Sequence, residues 1–150
     1  MLQPHFLAQI VAICRENGIH TAVDTAGHVP YEWFTQVNPD LFLYDIKAVN
    51  PKLHKELTGV DGLLIWDNLR RLLADGKNIH IRIPCIPGAN WEELPQIAAK
   101  LNDLGATSLE LLPYHNLSEG KTAMHSQRCK KFQIPSNDDM QMLKVLFPIS

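Results

Sequence analysis

The chain has 150 residues, of which 45% are hydrophobic and 20% charged, with a formal net charge of −2. That composition describes a globular domain, or a piece of one, and excludes a disordered chain. The charge gives no pull toward nucleic acid or an anionic membrane, no apolar run approaches the roughly 20 residues of a membrane span, and the amino terminus lacks a signal peptide's basic region and cleavage site.

Strand-like and helical segments alternate along the chain. Residues 5–17 place Phe6, Ile10, Ile13 and Cys14 at helical spacing, and Gly18 marks the stop. Residues 19–24 form a short run with β-branched members, read as a strand. Pro30 opens a short helix through Val37, which Asn38-Pro39 ends. Residues 41–47, LFLYDIK, are apolar on both faces as far as Asp45, as in a buried parallel strand. Asn50 caps a helix that has Pro51 in its first turn and ends at Gly59. The next helix, 61–75, presents Leu64, Ile65, Leu69, Leu72 and Leu73 on one face. Residues 79–84 alternate as a third strand. Asn90 and Glu93 have the spacing of a capping box for a helix over 91–103. Residues 108–114 are a fourth strand, 116–135 read as polar and irregular, and Ser136 caps a last helix near 137–147. Such alternation predicts an α/β fold with parallel strands and right-handed crossovers.

Polar residues gather where the strands end: Asp24-Thr25, Asp45 and Lys47, Arg82, and His115 after Pro113-Tyr114. In parallel α/β folds ligands bind at the carboxyl ends of the strands. Four strand ends carrying buried or half-buried polar groups point to a shared ligand, because an unpartnered buried charge costs several kcal/mol. The residues alone leave other roles open. Asp24 can be a turn residue, and Asp45 with Lys47 a simple rim ion pair. Lys47 can also be the Schiff-base lysine of a barrel aldolase, although Asp45 beside it argues against that. The remaining histidines show no ligand spacing. Cys14, Cys85 and Cys129 are odd in number and form no Cys-x-x-Cys pair, which speaks against a zinc site or a disulfide framework and for a reducing cytoplasm.

Taken together, GIHTAVDTAGHVP, DLFLYDIKAVNPKLHKELTGV, IRIPCIPGAN and LELLPYHNL resemble, in order and separation, segments of the activating enzymes of pyruvate formate-lyase and related glycyl radical enzymes, from Leu2 to about Lys121. The resemblance implies a partial (β/α) barrel of the radical S-adenosylmethionine (SAM) type, with residues 1–150 forming the carboxyl-terminal part and the first strand–helix units missing. The cofactors it implies are SAM and a 4Fe–4S cluster, whose Cys-x-x-x-Cys-x-x-Cys loop lies in a region that the resemblance does not reach. It implies SAM contacts from Asp24, Lys47, Arg82 and His115. It also implies a monovalent cation held by Asp24, Thr25, the Leu43 carbonyl and Asp45. The partner implied is a glycyl radical enzyme such as pyruvate formate-lyase, with no nucleic acid and no membrane. Feeble or absent SAM cleavage by these 150 residues alone is the expectation. A non-catalytic module completed by another chain, using the strand edge near 19–24, is the competing expectation.

Overall fold

A computed structural model describes residues 3–115 and 132–147; most of the predicted irregular stretch 116–135 lies outside them, as do His125 and Cys129. The described elements are helix α1 (Pro4–Glu16), strand β1 (Ala22–Thr25), α2 (Tyr31–Gln36), β2 (Leu41–Asp45), α3 (Pro51–Thr58), α4 (Leu63–Ala74), β3 (Ile79–Cys85), α5 (Leu94–Asp103), β4 (Leu109–Pro113) and α6 (Asn137–Leu146). The four strands form one parallel sheet in the order β1-β2-β3-β4, each pairing with the next in sequence. The predicted α/β class and parallel pairing are therefore observed.

Strands β1, β2 and β3 alternate strictly in burial, because successive side chains point to opposite faces. Val23, Phe42, Tyr44, Ile79, Ile81 and Ile83 face a core completed by Phe34 of α2, Leu69 and Leu72 of α4, and Leu94, Ile97 and Leu101 of α5. Cys85 belongs to this core, and burial pushes its thiol up to about 11. The alternate residues, among them Asp24, Leu43, Asp45, His80 and Arg82, lie on the opposite, more open face. Tyr44 ends the buried row on β2. Its hydroxyl donates to the Ile65 carbonyl at 2.7 Å, so the strand and α4 are tied by a satisfied buried group.

Several helix expectations shift. In α1 the residues turned inward are Pro4 and Val11, with Leu7 and Ala8 partly buried, while Phe6 and Ile13 are each 59% exposed. Two apolar stripes share this helix, and its own periodicity cannot choose between them. In α4 the inward stripe is Ile65, Trp66, Asn68, Leu69 and Leu72; Leu64 stands partly outside it. Asn68 sits in that stripe because its amide donates to the carbonyls of Gly27 and Val29, both at 2.8 Å. Asn90 makes no cap: Trp91–Glu93 is one 3-10 turn, and α5 starts after it with proline in its first turn. Strand β1 begins at Ala22 rather than near residue 19. The Asp40 carboxylate accepts from the N–H and hydroxyl of Thr21 at 2.7 and 2.9 Å and holds that residue outside the sheet. The caps expected at Asn50 and Ser136 are both present, the latter as a full box with Asp139.

Gly27, with a φ of 75°, turns the chain after β1 directly over Tyr44, and an added Cβ would run into the Tyr44 hydroxyl. At Gly76, with a φ of 66°, an added Cβ meets nothing within 4 Å. Gly76→Ala is expected to lose about 1 kcal/mol from backbone strain alone, and Gly27→Ala about 3 kcal/mol or more because overlap adds to strain. Denaturant midpoints of the two variants measure the difference; equal losses would show that Tyr44 yields freely.

Candidate functional site

Three strands bring four charged side chains together on the open face of the sheet. The register sets Asp45 beside Arg82 and Asp24 one row earlier, beside Leu43. Arg82 is long enough to serve both rows. Its Nε and Nη2 donate to Asp45 Oδ1 at 2.9 and 2.7 Å, and Nη2 also donates to Asp24 Oδ2 at 2.7 Å. Lys47, two residues past Asp45 and so on the same side, donates to Asp45 Oδ2 at 3.4 Å. Two acids and two bases give a cluster with no net charge. Burial works against the charge of Arg82, but its bonds to Asp24 and Asp45 outweigh that and raise its pKa above the ordinary arginine value.

The cluster keeps capacity for a ligand. Asp24 is the outermost member, its side chain 62% exposed, and its Oδ1 has no partner among the described contacts. Lys47 uses one of its three donors. Among the described residues, this carboxylate oxygen and the remaining Lys47 donors are without partners, and such groups suit the ammonium and carboxylate of an amino-acid zwitterion. The residues therefore fit the amino-acid end of SAM. A monovalent cation held by Asp24 and Asp45 has to share their oxygens with the guanidinium lying between them. Among the described residues, no group of three His, Cys, Asp or Glu side chains is placed to hold a metal ion.

The other expected site residues are placed differently. Thr25 points to the buried face, where its hydroxyl accepts from the Gly27 N–H at 3.0 Å; its side chain does not join Asp24. Leu43 lies on the open face between Asp24 and His80. His115 is exposed just past β4 and lines a groove of about 450 Å³ with Pro135, Gln141 and Lys144; it makes no described bond to the charge cluster.

Sequence reasoning missed the buried polar residues behind this face. Asn68, fully buried, clamps the turn after β1 through Gly27 and Val29. Asn90 and Glu93 hold the segment after β2: Asn90 donates to the Lys47 carbonyl at 2.9 Å, and Glu93 accepts from the N–H groups of Val49 and Asn50 at 2.7 and 3.1 Å. The signal for Asn68 was a polar residue at an apolar-stripe position. For Asn90 and Glu93 the spacing was visible but fitted a helix cap equally well. Further down the open face, His80 Nδ1 lies 2.7 Å from the Ser108 hydroxyl, and its Nε2 is 3.8 Å from Glu110.

A four-stranded parallel α/β sheet thus carries a charge-balanced cluster on its open face, toward the strand ends where such folds bind ligands. No protein-family model matches the chain. The chain is 35% identical to the trans-4-hydroxy-L-proline dehydratase activating enzyme of Clostridioides difficile, over 97% of this chain and 51% of that one. It is 40% identical to the isethionate sulfite-lyase activating enzyme of Nitratidesulfovibrio vulgaris, over 79% of this chain and 40% of that one. A crystal structure of a domain of pyruvate-formate lyase-activating enzyme from Bacteroides vulgatus superposes with a TM-score of 0.82 at 30% identity, covering 98% of this chain and 86% of that domain. A structure of TYW1 with a lysine-pyruvate adduct bound, at 19% identity and a TM-score of 0.71 over 97% of this chain and 46% of that one, shares the fold. The chain belongs to the glycyl-radical-enzyme activating enzymes, of the radical SAM class. It spans about half the length, or less, of the curated relatives it matches.

The two arms of Arg82 are unequal, because the Asp45 side chain is 26% exposed and that of Asp24 is 62% exposed. Double-mutant cycles of Arg82→Met with Asp45→Asn and with Asp24→Asn are expected to give about 1 kcal/mol of coupling for Asp45 and under about 0.5 kcal/mol for Asp24. Urea unfolding measures both, and the reverse order would mean that the shared guanidinium is held mainly from β1.

Proposed function

We propose that residues 1–150 form the carboxyl-terminal, SAM-binding part of a glycyl-radical-enzyme activating enzyme. The observation that carries this reading is the bridging of Asp24 and Asp45 by Arg82, with Lys47 alongside, on the open face of three parallel strands. Asp24 receives the SAM ammonium on its outward oxygen, and Lys47 receives the SAM carboxylate through its spare donors. Arg82 holds the two acids in place and balances their charge, so that the cluster favours a zwitterion over a simple anion. His115 is assigned to the wall of the same pocket, on the match of Leu-Pro-Tyr-His to the family pattern. The assigned monovalent-cation ligands are Asp24, Thr25, the Leu43 carbonyl and Asp45. Held by Asp24 and Lys47, SAM would supply, together with a 4Fe–4S cluster, the radical chemistry by which this class acts on a glycine of a partner enzyme. The contribution of these side chains is binding and orientation.

The partner assigned is a glycyl radical enzyme of the pyruvate formate-lyase type, since the relatives are named as activators of enzymes such as a dehydratase and a sulfite-lyase. The compartment assigned is the cytoplasm, on the odd and scattered cysteines. No helix among the described residues is long and apolar enough to cross a membrane.

Calorimetric titration of the chain with SAM tests this reading. Lys47→Ala and Asp24→Asn are each expected to weaken binding by about tenfold or more, the scale of one lost charge-assisted hydrogen bond. His115→Ala is expected to weaken it less, since it removes no charge. SAM binding that is absent, or indifferent to Lys47 and Asp24, would remove the assignment.

A further inference from the structure

The ladder between β2 and β3 ends abruptly, and the residue that ends it is Pro84. The last β2–β3 bond runs from the Ile46 N–H to the Arg82 carbonyl at 3.0 Å. The next bond in a parallel ladder would need an N–H from residue 84, which proline lacks. Two strands that both carry site residues would part at this point, one residue before Lys47.

The side-chain amide of Asn90 occupies the break. Its Nδ2 donates to the Pro84 carbonyl at 2.7 Å and to the Lys47 carbonyl at 2.9 Å, and its Oδ1 accepts from the Ile86 N–H at 2.9 Å. Asn90 is 1% exposed, so these bonds are made away from water. An aspartate there could not donate to two carbonyls, and an alanine would leave both carbonyls and one N–H unpartnered. Three residues later, on the same turn, Glu93 Oε2 accepts from the N–H groups of Val49 and Asn50. Glu93 is 8% exposed and has no Lys or Arg within ion-pair distance among the described residues, so its described partners are these two backbone groups. Asn50 then caps α3 through its own side chain, accepting from the N–H groups of Lys52 and Leu53. The backbone from Lys47 to Asn50 is thus gripped at three points from the β3–α5 connection, a contact some 40 residues distant in sequence.

We propose that Asn90 and Glu93 are positioning residues, which replace the missing strand pairing at Pro84 and so fix where the Lys47 ammonium stands beside Asp45 to meet the carboxylate of the ligand. This rests on the assignment of Lys47 as a SAM contact. It adds that, beyond the Ile46–Arg82 bond, the segment carrying Lys47 is linked to the chain after Arg82 by these two side chains rather than by the sheet. A purely structural role predicts lost stability and nothing more. A positioning role predicts that their effect on ligand passes through Lys47.

The test is a cycle on the full chain with SAM as the probe. Asn90→Ala and the milder Glu93→Gln are each expected to weaken SAM binding by about tenfold, the scale reported for residues that orient a direct ligand. In a Lys47→Ala background the same changes are expected to alter affinity by less than about twofold, because the group they position is gone. Leu101→Ala, a core change in α5 away from the turn, serves as the destabilised control and should leave the affinity unchanged. In parallel, amide exchange at Val49 and Asn50 should speed up at least about tenfold in Glu93→Gln, and the Lys47 side-chain NMR signals should move. Where Asn90→Ala does not fold, Glu93→Gln and the exchange data decide. Equal losses with and without Lys47, or unchanged Lys47 signals in a folded Glu93→Gln, would overturn the positioning role. If Lys47→Ala leaves SAM binding untouched, it is the SAM assignment that fails, and the NMR and exchange measurements still judge the positioning.

Discussion

A single guanidinium organises the open face of this sheet. Arg82 sits on the third strand and reaches the acids of the second and the first, so three strands converge on one planar group. Carboxylates brought this close would repel each other if left alone; with Arg82 between them they attract, and their geometry is set by a rigid fork of donors. The arrangement depends on register. A slip of one residue in any strand would send the charged side chain into the core and an aliphatic one to the open face. The buried row of Phe42, Tyr44, Ile81 and Ile83 therefore protects the cluster indirectly, because the cost of exposing that row holds the register.

Behind the cluster lies a set of buried polar side chains whose described partners are all backbone groups, most of them in the strand-end loops. Asn68 reaches the loop after β1; Asn90 and Glu93 reach the loop after β2. Loops at the carboxyl ends of parallel strands carry the ligand contacts, yet loops are the least constrained part of such folds. Here each of these two loops is gripped from the helix layer, by a side chain on α4 or on the turn leading into α5. The strand-end segments thereby gain the stiffness of the scaffold without being part of it.

The sequence placed Asp24, Asp45, Lys47 and Arg82 in one site, and the coordinates bring these four together. Asp24, Asp45 and Lys47 stand at or just past the end of a strand, and Arg82 alternates with Ile81 and Ile83 midway along β3. The sequence also put Thr25 with them, but adjacent residues on a strand face opposite ways, and its hydroxyl closes the turn at Gly27 instead. His115 follows a strand in the same manner, yet beyond Pro113 the chain leaves the sheet, and the ring lines a groove against α6. A position after a strand end therefore fixes proximity to the rim but not the direction of the side chain.

What the sequence determined by itself is whatever depends on neighbours along the chain: the alternation of strands and helices, the parallel sheet it demands, the caps at Asn50 and Ser136, and the polar strand ends whose motifs carry the family. What only the tertiary structure decided is which of two competing local readings holds. Asn90 and Glu93 have cap spacing, but each finds better-placed backbone partners some 40 residues away, across the gap that Pro84 leaves. The stripe of Phe6, Ile10 and Ile13 has the right period to be buried, and the neighbouring stripe is buried instead. Periodicity is a property of the chain, whereas the partner of a buried polar group, and the side of a helix that meets the core, are settled only when distant segments compete for the same space.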